Sequence, residues 1–432
     1  MRIRAVSINQ LIKDEYIYKK ITIFFGILYW LYGLMPITDA FFNVISILNV
    51  LFVFYVFYKG EYDYIKKYAI LIFLTGLISA LVNEFRTANI IAVAYGLIET
   101  ALMTYCSNEK KENQLIIELT NIAKMILRVG TIIIVLSLAI FFSGIHKTYY
   151  YTSVTTTTLH LGRDTTTGAL TGVLSNANIA ADFFVIYLGM LLFVVTREKL
   201  RIRHIILGIL CLTALLFTYS RGGYIGAIAL FGIWFAFNLF FKCQLKYGMP
   251  VLIGTGFFLI ICVIFAYFGG AFRFGSFSIG GRDAAQMGRN TDTRVLLWIA
   301  GFKSVMSSPK NFFFGAGNEI KGIIAEFVPF RIDKGLFNNM HNIYIQILVG
   351  FGVCGLVLFL LFVFTILSRA IRRLFSQGAR SKDMIPIMGL SIAFLIINIV
   401  ESDMFYKKAF EGTLIWVCLG YMNKILELRS TH

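Results

Sequence analysis

Hydrophobic residues in this chain run on rather than alternate. The stretch "LCLTALLFTYSRGGYIGAIALFGIWFAFNLFF", Leu210 to Phe241, holds one charged residue, Arg221, and comparable runs recur from Ile21 to the C-terminus. Apolar runs of spanning length without a two-residue period predict helices that cross a bilayer. Lipid leaves only a helical bundle or a closed barrel, because every backbone polar group must be satisfied within the protein. The lengths and the missing alternation select the bundle. About twelve spans are expected, at roughly 20–37, 41–58, 65–83, 87–105, 124–145, 178–196, 203–219, 222–241, 249–268, 341–367, 384–401 and 409–425. The expected fold is an all-α polytopic membrane protein, one integral membrane domain over 1–432. Two outer excursions interrupt it: a Thr/Tyr-rich loop at 146–177 and a large basic loop, partly helical, at 269–340 between spans nine and ten.

Composition agrees with the pattern. Of 432 residues, 58% are hydrophobic and 15% charged, where a soluble domain carries about a quarter charged residues. The formal net charge of +17 would suit nucleic acid, but its distribution argues for topology instead. Basic clusters precede span one (Arg2, Arg4, Lys13, Lys19, Lys20) and follow span two (Lys59, Lys66, Lys67) and span four (Lys110, Lys111, Lys124). They recur after span six (Arg197, Lys199, Arg201, Arg203), span eight (Lys242, Lys246) and span ten (Arg369, Arg372, Arg373, Arg380, Lys382). Every second loop is basic, so these loops and both termini are expected on the cytoplasmic side, with no nucleic-acid partner. The basic N-terminus leads into an apolar run without a small-residue cleavage site, so the first span is expected to be retained. None of the six cysteines falls in an expected outer loop or at metal-like spacing, and no disulfide or metal site is expected.

These charges also locate Arg221. Ile205 to Phe241 is 37 residues, about 55 Å as one helix against a hydrocarbon core of about 30 Å. The run must fold back, and basic clusters at both ends put its apex, "YSRGGY", on the outer face. Gly222 and Gly223 suit a tight turn and leave backbone N–H groups near the start of the next helix. Arg221 there is either an oxyanion clamp or an arginine snorkelling to outer headgroups.

The outer excursions carry more candidate chemistry. Ile145 to Ala177 is rich in Thr and Tyr and includes Arg163 and Asp164; it suits either strands with a sugar-stacking face or a polar covering loop. The 269–340 segment holds Arg273, Arg282, Arg289, Arg294 and Arg331, against the usual inside bias of positive charge. "TRVLLWIAGFKSVM" (Thr293–Met306) reads as an amphipathic helix near the membrane surface, capped by Asp292 or Thr293, with Arg294 in its first turn. "PKNFFFGAGNE" is a turn-rich break, after which "NNMHNIYIQILVGFGVCGL" sets His341 at the outer start of span ten. A histidine at a span mouth is either structural or a base that works near neutral pH.

Four segments in this order resemble the bacterial O-antigen ligase and polymerase superfamily. They are "TTGALTGVLSNANIAADF" before span six, "YSRGG" after span seven, "TRVLLWIAGFKSV…P…FFGAGNE" in the large loop and "HNIYIQILVGFGVCGL" opening span ten. The resemblance covers about Thr165 to Leu361 and departs at Ala177, where relatives often carry proline. It implies a metal- and cofactor-independent glycosyltransferase in the bacterial inner membrane, acting at its outer face on undecaprenyl-diphosphate-linked glycan as donor and acceptor. Arg221 and Arg294 would hold the donor diphosphate and His341 would act as base on the acceptor hydroxyl. Arg282, Arg289, Arg163, Asn176, Asn178, Asn342, Gly222 and Gly223 are the accompanying candidates for substrate contacts, with Arg273 beside them. The resemblance implies a capsule or O-antigen polymerase, alternatively a ligase onto lipid A–core, with a chain-length regulator and a flippase as pathway partners. No Walker-type or Rossmann-type phosphate loop is present.

The acids leave a further class open. Glu99 in span four, level with Arg128, is either a structural ion pair or part of a transport path in a flippase. Glu401 and Asp403, at the outer end of span eleven, are candidates to hold a metal, to assist His341, or simply to pair with Lys407 and Lys408; Asp39 is a candidate to orient an acceptor.

Overall fold

The computed structural model describes residues 15–29, 31, 64–84, 89–90, 92–93, 104–107, 109–151, 157–164, 168–174, 176–198, 200–243, 273–274, 277–278, 284–327, 339–401 and 410–430. The expected spans at 41–58 and 249–268, and most of 87–105, lie outside these residues. So do Asp39, Glu99, Asp403, Lys407 and Lys408.

Helices dominate the described chain: α1 (Glu15–Tyr29), α2 (Tyr64–Val82), α3 (Glu112–Phe142), α4 (Ala177–Glu198), α5 (Ile202–Phe217) and α6 (Arg221–Cys243). After them come α7 (Ala284–Met306), α8 (Pro309–Phe314), α9 (Ile320–Phe327), α10 (Ile343–Gln377), α11 (Ile385–Ile397) and α12 (Phe410–Ser430). Among the described residues four helices are long and apolar enough to cross a membrane: α3, α4, Arg221–Leu239 of α6, and α10. Ile70–Val82 and α5 are shorter apolar helices.

Burial orders the bundle. The most apolar window of α4 is 78% buried and that of α3 only 39%, so α4 is a central helix and α3 a peripheral one. Ile132, Val135, Leu136 and Phe142 of α3 and Phe364 of α10 are exposed, as lipid-facing residues would be. Phe183, Phe184, Tyr187 and Trp416 are fully buried or nearly so, and Trp416 stacks on Phe362 with ring centroids 5.5 Å apart. Without a hydrophobic drive in lipid, small residues set close helix packing. A Cβ on Gly226 of α6 would lie 2.3 Å from Ile397 of α11, and one on Gly223 would lie 2.5 Å from Ala181 of α4.

The helices depart from the expected spans where charge begins. α3 starts at Glu112 rather than 124, and α10 runs on to Gln377 rather than 367. Hydropathy marks where lipid contact stops, but a helix continues as long as its side chains find partners. Glu118 does so, accepting from Lys110 Nζ at 3.0 Å and from the Tyr421 hydroxyl at 2.9 Å. Lys19, one of the basic residues that mark the cytoplasmic side in the sequence, is fully buried. It donates to the Tyr105 carbonyl and lies 4.8 Å from the centre of the Tyr421 ring.

The chain is not purely helical. Strands β1 (Lys147–Tyr151), β2 (Thr157–Arg163) and β3 (Leu170–Gly172) form an antiparallel sheet in that order, and β4 (Arg273–Phe274) pairs with β5 (Phe277–Ser278). β-branched Thr and aromatic Tyr favour strands over helices. The sheet is tied to α3 where Gly172, at φ +61, lies so close to Ser137 that any side chain would collide.

α10 is kinked at Gly352, with φ 68 and ψ −171. The kink releases carbonyls from the helical ladder, and each finds a donor: Ala316 N–H reaches Val349 O at 2.8 Å and Ser79 Oγ reaches Gly350 O at 2.6 Å. α8 therefore lies directly against the α10 backbone, since a Cβ on Gly352 would fall 2.3 Å from the Phe313 carbonyl.

Candidate functional site

The long apolar run around Arg221 breaks between α5 and α6, and hydroxyls rather than glycines make the break. Thr218 Oγ1 donates to Leu215 O at 2.6 Å, and Ser220 N–H donates back to Thr218 Oγ1 at 3.2 Å. The left-handed residue is Tyr219, at φ 52. Ser220 caps α6, its Oγ accepting from Gly223 N–H at 3.3 Å, so one of the amides expected to face an anion is already used. Gly223 is instead the close contact with α4. Arg221 is the first residue of α6 and half-buried. A Cβ on Gly222 would sit 3.5 Å from Val400 Cγ2, so the residue after Arg221 abuts the residue before Glu401.

Glu401 is the hub. Its Oε1 accepts from Arg294 Nη2 at 2.8 Å and from Asn178 Nδ2 at 3.0 Å, while His341 Nδ1 stands 3.3 Å from its Oε2. The Glu401 side chain is 10% exposed, against 24% for Arg294 and 27% for His341. A carboxylate this buried is tolerable only when paired and hydrogen-bonded. The carboxylate is thus enclosed, while the two cationic or basic partners reach solvent. Residues 178, 294, 341 and 401 arrive on four separate segments: the first turn of α4, the middle of α7, the turn before α10, and the turn that follows α11.

The local sequence holds these segments in register. The two residues around His341 are fixed from three sides. Trp298 Nε1, one helical turn after Arg294, donates to Met340 O at 2.9 Å, and Met340 N–H donates to Gln346 Oε1 at 2.9 Å. Ile343 N–H, just past His341, donates to Asn398 O at 2.9 Å, three residues before Glu401. His341 itself has φ 46, a conformation uncommon for a residue with a Cβ, and its N–H donates to Asn339 Oδ1 at 3.0 Å. Residues held in sparsely populated backbone regions persist only where the surroundings over-determine them.

The remaining candidates divide. Asn178 joins the cluster. Asn176 is the N-cap of α4, accepting from Asn178 N–H at 2.7 Å, and Asn342 is the N-cap of α10, accepting from Ile345 N–H at 3.0 Å. Arg163 stands over the Phe141 ring at 4.5 Å. Arg289 lies on α7 and Arg273 in β4; their side chains, and all of Arg282, lie outside the described residues. α7 begins at Ala284, so Asp292 and Thr293 are interior and cap nothing, and Arg294 is mid-helix rather than in a first turn. Arg128 is exposed on α3. Among the described residues no group of three or more His, Cys, Asp and Glu gathers where it could hold a metal ion.

Glu401 is the residue whose importance sequence reasoning underrated. The available signal was an acid ending the otherwise uncharged run "IPIMGLSIAFLIINIVE"; nothing in that run says which cation it meets.

Fold and site together define a polytopic helical membrane protein that gathers a guanidinium, an imidazole, an amide and a carboxylate at one end of its bundle. Residues 205–360, from α5 into α10, match the family model described as O-Antigen ligase, which supports the resemblance of the chain to the O-antigen ligase/polymerase superfamily. No curated protein matches the chain. The family is one of bacterial integral membrane proteins with ligase or polymerase activity on lipid-linked glycans.

Proposed function

We propose that the chain is a glycosyltransferase that polymerises undecaprenyl-diphosphate-linked repeat units at the outer face of the inner membrane, with both termini cytoplasmic. The observation that carries this reading is the convergence of Arg294, His341 and Asn178 on Glu401, beside the turn that bears Arg221.

In the proposed reaction the acceptor hydroxyl oxygen attacks the anomeric carbon of the donor sugar. The bond from that carbon to phosphate oxygen breaks, and the lipid diphosphate leaves with the electron pair. Arg294 and Arg221 stabilise the charge on the leaving diphosphate through charge-assisted hydrogen bonds. An incoming diphosphate competes with Glu401 for Arg294, so the Arg294–Glu401 pair keeps the guanidinium in place between turnovers. His341 takes the acceptor proton. With Nδ1–H donated to Glu401, the lone pair sits on Nε2, and the carboxylate balances the imidazolium formed. Asn178 holds the other carboxylate oxygen and so fixes the direction Glu401 faces.

A ligase reading differs only in the acceptor, lipid A–core or another acceptor in place of a second lipid-linked repeat. Purified protein in lipid vesicles, supplied with a lipid-diphosphate-linked repeat unit and no nucleotide sugar, separates the two. A ladder of lengthening glycans is expected. Transfer onto lipid A–core alone makes the protein a ligase, and translocation without a new glycosidic bond makes it a flippase. Arg221→Ala should abolish turnover while leaving the unfolding transition unchanged; near-normal turnover removes Arg221 from the clamp.

A further inference from the structure

Glu401 meets Arg294 and His341 through different oxygens, and a second connection joins those two partners behind the carboxylate. Trp298 lies four residues after Arg294 on α7, so the two side chains share one face of that helix, one turn apart. Its Nε1–H donates to Met340 O at 2.9 Å, and Met340 is the residue before His341. The path is a closed ring. It runs from Glu401 Oε1 to Arg294, along one turn of α7 to Trp298, through the Met340 carbonyl to His341, and from His341 Nδ1 back to Glu401 Oε2. The turn of α7 is rigid, so the joint that sets the shape of this ring is the backbone at His341.

That joint is both strained and clamped. His341 has φ 46, where its Cβ crowds the following carbonyl. This torsion turns the side chain about the plane of the peptide that joins Met340 to His341, and the plane is held at both edges. Trp298 Nε1 holds its oxygen, and Asn339 Oδ1 accepts from its N–H at 3.0 Å. The preceding peptide is held from α10, where Gln346 Oε1 accepts from Met340 N–H at 2.9 Å. The Met340 side chain is fully buried in a small apolar cluster with Leu297, Ala300 and Val349, and Trp298 packs against that cluster. Indole offers one donor and no acceptor on a rigid ring system, so it fixes a carbonyl where a flexible side chain would let it drift.

We infer that Trp298 is a positioning residue of the proposed transferase: its hydrogen bond to Met340 holds His341 in the left-handed conformation that brings the imidazole onto Glu401. One helix thereby sets the base against the guanidinium that it also carries. The inference rests on the proposal that His341 takes the acceptor proton. Trp298 itself touches no reacting atom. Without its N–H the Met340–His341 peptide loses one of its two anchors, and φ relaxes towards the ordinary negative range. The imidazole then swings off the carboxylate while Arg294 keeps its own contact, so donor binding survives and proton transfer suffers.

Steady-state kinetics of the full chain in lipid vesicles test this with two variants. Trp298→Phe removes the N–H and keeps a ring against the cluster, and Gln346→Leu releases the neighbouring peptide from the α10 side. Each should lower kcat by roughly 10- to 100-fold, the scale of a misplacement of about 1 Å, with KM for the lipid-linked donor unchanged. Gln346→Glu, which keeps an acceptor, should retain most of the rate. Both side chains act on Met340, so the double variant should lose less than the product of the single losses. A second readout needs no turnover: nitrogen-15 NMR of histidine-labelled protein in the same vesicles, the His341 signal being identified by its loss in His341→Asn. Trp298→Phe should shift that signal as the imidazole leaves Glu401. An unchanged signal, a loss confined to KM, or fully multiplicative losses overturn the clamp. Glycan transfer whose kcat and His341 signal ignore Trp298→Phe removes the clamp alone. A signal that shifts in a protein transferring no glycan removes the transferase reading and leaves the clamp standing.

Discussion

At the scale of single residues, the site is governed by one carboxylate on which Arg294, His341 and Asn178 converge. Glu401 neutralises Arg294 and orients His341, so its removal acts through both. Glu401→Gln keeps the shape and the Asn178 contact but loses the charge that balances an imidazolium. Turnover should fall by roughly 10²–10⁴-fold, the usual weight of a general base, mostly in kcat rather than KM; a change confined to KM would make Glu401 a binding residue instead. Ala177 offers a cleaner stability test. It occupies the first position of α4, behind the N-cap Asn176, where proline's fixed φ is pre-organised and its missing N–H costs nothing. Ala177→Pro should raise stability by about 0.4–1 kcal/mol, read as a higher thermal midpoint in detergent with the Asn178–Glu401 contact intact. The alanine that departs from the related pattern thus leaves the helix start unchanged.

At the scale of elements, packing rather than propensity decides the geometry. The kink in α10 exists because Gly352 takes a left-handed φ while Ala316 N–H and Ser79 Oγ collect the Val349 and Gly350 carbonyls. Gly352→Ala would place a methyl against the Phe313 backbone in a conformation L residues avoid. It should destabilise the protein by more than about 1 kcal/mol and pull α8 off α10; an unchanged unfolding midpoint would mean the close approach carries no weight. The same comparison explains the helix ends. Apolar length located the cores of α3, α4 and α10, but their true termini depend on partners such as Lys110 for Glu118, which come from elsewhere in the chain.

At the scale of the molecule, the two ends of the bundle are chemically distinct. One end gathers Asn178, Arg294, His341 and Glu401. At the other, Arg429 bridges Glu112 at 2.7 Å and Asp383 at 2.8 Å, and Asp383 also binds Arg197 at 2.6 Å. On the proposed topology, the basic loops put this second end on the cytoplasmic side. In a background with the native cysteines replaced, Lys303→Cys should react with a membrane-impermeant maleimide in intact cells and Arg372→Cys only after permeabilisation; the reverse pattern would invert the site's side.

What the sequence by itself determined follows from solvent and from short range. Lipid tolerates only self-satisfied backbone, so uninterrupted apolar runs announce helices. Charge beside them announces sides, and 37 residues between two basic clusters must turn back at Arg221. The order of the motifs was enough to nominate Arg221, Arg294 and His341. Only the tertiary structure decided who meets whom. Residues 178, 294, 341 and 401 are separated by up to 223 positions, and no local pattern encodes a pairing over that distance. Glu401 therefore read as one acid among several until packing enclosed it. The turn residues were misassigned for a related reason: glycine permits a left-handed φ, but the Thr218 and Ser220 hydrogen bonds fixed it at Tyr219 and left Gly223 to let α6 approach α4.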